Sequence, residues 1–600
     1  SWGLEYLFGV LGADGNFTPI WAHDRVQERD ALRTFLDIVR ERRKLHPEMH
    51  VYHYASYEKT ALLKLAGTYG VGEEEVDDLL RDNILVDLYP VVRSSIRVGA
   101  TGYSLKSLEP LYMGEELRTG DVTTASDSIV MYDKYCQLIR NGDAGQAAVV
   151  LADIEDYNRY DCRSTRGLRD WLLERSREHQ VTYRQPPPPR EKTKDPIDED
   201  ETALSLMDFA GDELAERSSD QQAVAMIAVS RGYHKREDKP YWWSHFQRMD
   251  YPVDEWADTS GVFIVEHAEV DEDWREPQGR ERKSRRRLRL FGAVDSGNLD
   301  PRSVQAIYED PAPASLSHHF NGRACNTLNV VSFDDPTDPT EVVVAETGVG
   351  SDDERHHQLP FALTPPMPIP TDQLKSALDA VASQVKAQLP QLPETSYVDI
   401  LTRRPPRRRS ALSLPRTGDD TTDITAALLD SDHSYLAVHG PPGCGKTHTA
   451  ARVITALVND HSWRVGVVAQ SHSVVENLLD KVIEAGVNPG RVGKRPKSLA
   501  RPWLRGWQPL KNEDYPDFVA GDDGCVIGGT AWDFANPGRV LPGSLNLLVI
   551  EEAGQFCLAH TIAVAPSAQN LLLLGDPQQL PQVSQGTHAE PVDQSALGWP

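Results

Sequence analysis

Apolar positions in the first part of this chain follow two spacings. Strand-like runs at Leu4–Val10, Thr18–Ala22 and His50–Tyr54 surround a helical run over Gln27–Arg43, an α/β pattern that extends to about residue 178. The stretch Gln185-Pro-Pro-Pro-Pro-Arg190 ends it. Four consecutive prolines lack backbone donors and favour an extended chain, so 179–203, acidic through Glu201, reads as a linker. Helical spacing returns from Leu204 to Asp258, with Trp242, Trp243 and Phe246 as its anchors. After Gly261 the pattern breaks into short strands between Gly, Pro and Asp turns: Val262–Glu266, Arg287–Val294, Val304–Tyr308, Thr327–Phe333 and Glu341–Glu346. These predict a small β-barrel or sandwich over 259–365. A helix over Thr371–Gln388 then leads into a last unit, 366–600. There an apolar strand (Tyr435–Val438) precedes a helix whose Ala450, Val453, Ile454 and Leu457 share a face.

Six hundred residues exceed one core, and the expectation is a multidomain α/β chain. A hydrophobic content of 40% with no apolar run of membrane-spanning length, and no signal-peptide pattern, exclude a helical membrane span and a secretory leader from the reading. Cysteines 136, 162, 325, 444, 525 and 557 show no C-x-x-C spacing, so neither a disulfide framework nor a zinc or iron–sulfur site is expected, and a reducing cytoplasm is the default location. The formal charge of −27 argues against a uniformly basic surface. Positive charge is nevertheless clustered at Arg280–Arg289, which includes Arg285, Arg286 and Arg287, and at Arg403–Arg409.

The chemistry is densest in the last unit. Gly440-Pro441-Pro442-Gly443-Cys444-Gly445-Lys446-Thr447 fits G-x-x-x-x-G-K-[ST] between a strand and a helix. Glycines let backbone N–H groups turn toward phosphates, Lys446 reaches the β and γ phosphates, and Thr447 ligates Mg²⁺; His448 follows at the helix start. A second apolar strand, Leu545–Ile550, ends in the acids Glu551 and Glu552. Glu551 is assigned to the metal and Glu552 to the attacking water. A third, Asn570–Leu574, delivers Asp576 and Gln579 to the strand end where open α/β sheets hold ligands.

In order, GPPGCGKT, VVAQSHSVVENLL, EEAGQ and GDPQQLPQV resemble the motifs of superfamily 1 helicases of the RNA-surveillance and flap-processing type, over about the last third of the chain. The resemblance implies a RecA-like P-loop lobe over 366–600 that uses ATP and Mg²⁺. Gln579 would contact the γ-phosphate, Gln555 would link the acid pair to that movement, and Ser471 and His472 would touch a nucleic-acid backbone. It also gives the β-rich unit the role of a strand-gripping barrel, with Arg285, Arg286 and Arg287 as phosphate contacts. Glu551 stands where that family has Asp, and Gln582 where it has Pro. No glutamine ahead of the loop reads adenine, so ATP over GTP rests on the resemblance.

In the first unit, Asp156-Tyr-Asn-Arg-Tyr-Asp-Cys162 resembles the third motif of DEDD-type 3′–5′ exonucleases with an RNase H-like fold. Tyr157 and Asp161 lie one turn apart on a helix face, the phenol to orient water and the carboxylate to bind Mg²⁺ or Mn²⁺. His53-Tyr-Ala-Ser-Tyr-Glu58 resembles the second motif, with Glu58 as a further metal ligand, and Asp87 follows downstream. Together, an RNase H-like domain over 1–178, a helical connector over 204–258, the barrel and the motor lobe resemble bacterial RecB-like nuclease and helicase fusions with a YprB-like domain. The expected activity is an ATP-dependent DNA helicase coupled to a metal-dependent exonuclease, acting on single-stranded or flap DNA. An RNA-directed version and a non-catalytic, ATP-gated nucleic-acid clamp stay open. The first-motif Asp-x-Glu and the second motor lobe with its arginine fingers are not in this sequence, so a fragment impaired in both activities is expected.

Overall fold

The computed structural model describes residues 4–599, apart from 56, 70, 100–101, 115–124, 182–200, 212–215, 251–252, 254–255, 257–259, 280, 295, 317–321, 336, 351–352, 411–415, 442, 497–505, 580–581 and 587. The Pro-rich stretch Gln185–Arg190 and Pro442 thus lie outside the described residues. Two units divide the chain: Ser1–Thr193 with Tyr241–Met367, and Lys194–Pro240 with Pro368–Pro600. The helical stretch expected as one connector is shared between them. Its segment changes unit at Pro240, inside the helix Tyr233–Asp250.

In the first unit, β1 (Leu7–Leu11) and β2 (Phe17–Trp21) form an antiparallel hairpin with Leu7 opposite Trp21 and Leu11 opposite Phe17. Asp24 caps the helix Arg25–Leu45 by accepting from the Gln27 N–H, and Ala31, Leu32, Phe35, Leu36 and Val39 line its buried face at helical spacing. β3 (Val51–His53) pairs in parallel with β4 (Leu85–Asp87), and the 35-residue helix Ala144–Glu178 is capped by Asp143.

The β-rich segment closes into a barrel. Its strands are β5 (Phe263–Arg275), β6 (Arg285–Val294), β7 (Ser303–Tyr308), β8 (Ala324–Phe333), β9 (Glu341–Thr347) and β10 (Ala362–Thr364), ordered β10-β5-β6-β9-β8-β7. Closure removes the free edges a sandwich would keep. Phe263, Leu288, Leu290, Val304, Leu328, Val342, Val344 and Leu363 fill it.

The second unit is built on seven parallel strands: β11 (Tyr435–His439), β12 (Arg464–Val468), β13 (Val492–Lys494), β14 (Gln508–Pro509), β15 (Cys525–Gly529), β16 (Leu545–Glu551) and β17 (Ala568–Gly575). Their order is β11-β17-β16-β12-β15-β13-β14. Both faces are covered, which explains the unbroken apolar runs. Leu548, Ile550, Leu571 and Leu573 enter one core, whereas Leu547, Val549, Leu572 and Leu574 enter the other. Each such side chain contributes roughly 1.5–3 kcal/mol on burial. The phosphate-loop strand, the two acid-bearing strands and β12 are therefore consecutive, and all four present their carboxyl ends on one side.

Candidate nucleotide site and its surroundings

β11 ends at His439, and the loop Gly440–Gly445 turns into the helix Lys446–His461. Gly443 and Gly445 hold φ of 80° and 85°, the left-handed region that glycine enters without strain. A Cβ on Gly440 would come within 2.6 Å of the Cys444 sulfur, so the loop's close turn also needs glycine there. Pro441, Cys444 and His448 are exposed along it. The Lys446 ammonium donates to the carbonyls of Gly440 and, at 2.9 Å, of Pro441. A cavity of about 440 Å³ opens beside the loop between Asp420, Ile424, His439 and Lys446.

Thr447, in the first turn of the helix after β11, meets Glu551 at the end of β16, with β17 lying between those two strands. The Thr447 hydroxyl donates to Glu551 Oε1 at 2.7 Å, while Oε2 is buried with no hydrogen-bond partner. Burial pushes the Glu551 carboxyl above its ordinary range and the neighbouring Glu552 charge adds to this, against the Thr447 hydrogen bond and the Lys446 charge. A buried anionic oxygen beside a hydroxyl and a lysine fits a hard cation, and Mg²⁺ is commonly held by one or two carboxylates plus phosphate oxygens. Glu552 sits at φ 55°, a conformation uncommon for a residue with a side chain, at the turn that leaves β16. The turn packs against the next strand end backbone to backbone: a Cβ on Gly554 would meet the Asp576 carbonyl oxygen at 2.3 Å. Asp576 accepts from the Gln578 N–H, and the Gln555 amide donates to Gln579 at 3.4 Å.

Two glutamines outside the expected set complete the arrangement. Gln470, just beyond β12, donates from Nε2 to the Gln555 carbonyl at 3.2 Å and to Gln582 Oε1 at 2.7 Å. The sequence signal for Gln470 is its place at the end of an apolar strand, as with Glu551 and Asp576. Next to it, Ser471 caps the helix His472–Glu484 by accepting from the Val474 N–H. His472 Nδ1 lies 3.1 Å from the ammonium of Lys494, a fully buried lysine also bound by Glu476 at 3.0 Å.

The basic clusters are placed differently from the expectation. On β6 the alternation that buries Leu288 and Leu290 also turns Arg286 inward. Its guanidinium pairs with Glu346 at 2.6 Å, inside the barrel, and lies over the Trp274 ring. Arg286 is 2% exposed, so it cannot serve as a phosphate contact. Burial works against the Glu346 charge, but His356, Arg286 and Tyr308 hold its carboxyl down at about 2. Arg285 pairs with Glu281 and Arg287 with Asp271, and Arg289 bridges Asp271 and Glu341. In the second cluster Arg404, Arg407 and Arg408 pair with Asp220, Asp399 and Asp430.

In the first unit, Tyr157 and Asp161 lie on the helix Ala144–Glu178. Burial, followed by the charges of Asp161 and Glu58, pushes the Cys162 thiol up to about 12. Glu58 Oε2 is 3.6 Å from Nδ1 of the buried His53. Asp87 instead serves the turn, accepting from the N–H groups of Ala55 and Tyr89. Among the described residues no three His, Cys, Asp or Glu side chains form a metal-holding group, and Glu58 with Asp161 alone does not fit one. No helix among the described residues is long and apolar enough to cross a membrane.

Comparison with known proteins adds to this geometry. Among curated proteins, the chain is similar to the DNA replication ATP-dependent helicase/nuclease JHS1 of Arabidopsis thaliana, 27% identical over 158 residues. That match covers 26% of this chain and 12% of the relative. It is also similar to the DNA polymerase alpha-associated DNA helicase A of Schizosaccharomyces pombe, 39% identical over 56 residues, covering 9% of this chain and 8% of the relative. The chain thus spans a small part of the length of either. Among solved structures, Arterivirus nonstructural protein 10, a helicase, matches at 13% identity over 48% of each chain with a TM-score of 0.20, a likeness too slight to bear on the fold. A model described as RNase_H superfamily matches residues 2–173, and one described as AAA domain matches residues 418–596. The chain therefore joins an RNase H-superfamily domain to an AAA domain.

Proposed function

We propose that the second unit binds a nucleoside triphosphate with Mg²⁺ and uses it to act on a nucleic-acid strand, as the first lobe of a superfamily 1 DNA helicase. The observation that carries this reading is the Thr447 hydroxyl on Glu551 Oε1 with the other carboxylate oxygen buried and unpartnered. Thr447 and Glu551 would hold the metal, and Lys446 would exchange the Gly440 and Pro441 carbonyls for phosphate oxygens. Bound magnesium neutralises charge on the β and γ phosphates. Glu552 would position the attacking water, and Gln579, reached by Gln555, would report the γ-phosphate. Ser471 and His472, at a helix N-terminus, would meet the strand's backbone. DNA is favoured because both curated relatives are named for DNA work.

The first unit would belong to the same process as an exonuclease-type domain, in a fusion of the RecB-like and YprB-like kind. Tyr157, Asp161 and Glu58 would face the strand, with 3′ trimming as the expected activity. Single-stranded DNA should stimulate ATP hydrolysis by the full-length protein more than RNA of equal length. Greater stimulation by RNA would reverse the substrate assignment. Where a first-motif Asp-x-Glu completes the ligand set, as the resemblance implies, Mn²⁺- or Mg²⁺-dependent trimming of a 3′ end should disappear in Asp161→Ala, and trimming indifferent to that change would remove Asp161 from the role.

A further inference from the structure

Among the described strand ends of the second unit, Thr447 with Glu551 is not the sole contact to skip a strand. Gln582, in the segment after β17, reaches Gln470, which follows β12, although β16 lies between those strands. Strands in a sheet are about 4.8 Å apart, so the contact bridges roughly twice that span. It passes over the turn after β16, because the same Gln470 Nε2 donates to the backbone carbonyl of Gln555. A backbone carbonyl only accepts, so this contact fixes the orientation of the Gln470 amide and makes Gln582 Oε1 the acceptor in the bridge.

The two ends of this chain of amides differ in what they touch. At one end the Gln555 side chain donates to Gln579, beside Asp576 and the acid pair. At the other, Gln470 is followed directly by Ser471, the cap of the helix His472–Glu484. We infer that the Gln470–Gln582 bridge is the device by which nucleotide occupancy and strand binding influence each other, with both glutamines acting as positioning residues. The inference rests on the proposed nucleotide and strand sites. A movement of the γ-phosphate end shifts the Gln555 backbone and the Gln582 segment, and through Gln470 it tilts the helix N-terminus that carries Ser471 and His472. Neither glutamine touches nucleotide or strand in this account, so removing the bridge separates the two binding events without abolishing either.

The test measures thermodynamic coupling in this 600-residue chain. Affinity for a fluorescein-labelled oligothymidylate is read by anisotropy with and without a saturating non-hydrolysable ATP analogue and Mg²⁺, and affinity for the analogue is measured separately. In the unaltered protein the analogue should change oligonucleotide affinity by about 5-fold or more. In Gln582→Met, which keeps volume but loses the acceptor, that ratio should approach one while analogue affinity stays the same. Gln582→Glu keeps an acceptor oxygen for Gln470 and should retain the coupling. Gln470→Met should repeat the Gln582→Met result, and the double variant should add nothing to either. A full ratio in Gln582→Met and Gln470→Met overturns the inference. So does a ratio of one in an unaltered protein that binds both ligands. Failure of the unaltered protein to bind the analogue at all instead overturns the nucleotide reading beneath it.

Discussion

Glu551 is in an awkward position for a carboxylate: 5% exposed, next to a second acid, and with one oxygen bonded only by a threonine hydroxyl. Such a group raises the energy of the unliganded protein and lowers it when a cation arrives. Glu551→Gln should therefore leave the thermal midpoint unchanged or raised, while Mg²⁺-dependent nucleotide affinity falls by about tenfold or more. A lower midpoint with unaltered affinity would make Glu551 a structural residue. Arg286 poses the opposite case. Arg286→Met removes the guanidinium from the buried Glu346 carboxylate and leaves it only the hydrogen bonds of Tyr308, Asn326 and His356, which should destabilise the barrel by roughly 3 kcal/mol in chemical denaturation. Arg287→Ala, on the outward parity of the same strand, should leave the denaturation midpoint in place. The Arg286 placement was legible in principle, since Leu288 and Leu290 set the inward parity and Arg286 shares it. The Gln470–Gln582 bridge was not, because which strand ends become neighbours depends on pairing across more than a hundred residues.

Among the elements, those with a strong local pattern lie where their periodicity places them. The face of Ala450, Val453, Ile454 and Leu457 falls inside the helix Lys446–His461, and the strand expected at Tyr435–Val438 is observed as Tyr435–His439. Barrel closure was not readable, because β10 is three residues long and is recognised only by its pairing with β5 and β7. The helix Tyr233–Asp250 also carries a property that composition hides. Its His234 stacks on His560 from the helix Leu558–Val564 at 5.3 Å, and burial holds His234 down to about 3 and His560 to about 4. Both stay neutral in the folded unit, whereas in the unfolded chain they take up protons near their ordinary value of 6.5. The unfolded state therefore binds more protons as pH falls below about 6.5, and stability declines until the folded values are reached. The slope is up to ~1.4 kcal/mol per pH unit for each group. Melting curves at pH 7 and pH 5 should show this loss, and His560→Phe should flatten it. A midpoint independent of pH across that range would contradict the buried, neutral pair.

For the molecule as a whole, charge and motif tell different stories. A net charge of −27 and basic clusters largely committed to carboxylates of the same chain leave few cations for phosphates. Oligonucleotide affinity should therefore fall only shallowly with salt, with a logarithmic slope of magnitude below about 3. A steep slope, on the order of −6 or beyond, would mean that a basic surface dominates binding. The strands that lead into the four motifs, by contrast, lie together, since β11, β17, β16 and β12 are consecutive in the sheet. What those strand ends hold decides whether the second unit is a nucleotide-binding lobe. The most direct measurement is equilibrium titration of Mg-ATP into the unaltered protein and into Lys446→Ala. Saturable, Mg²⁺-dependent binding that the substitution weakens by at least ~30-fold is the predicted result. Equal affinity in the two proteins would contradict the assignment of the Gly440–Thr447 loop as the phosphate site.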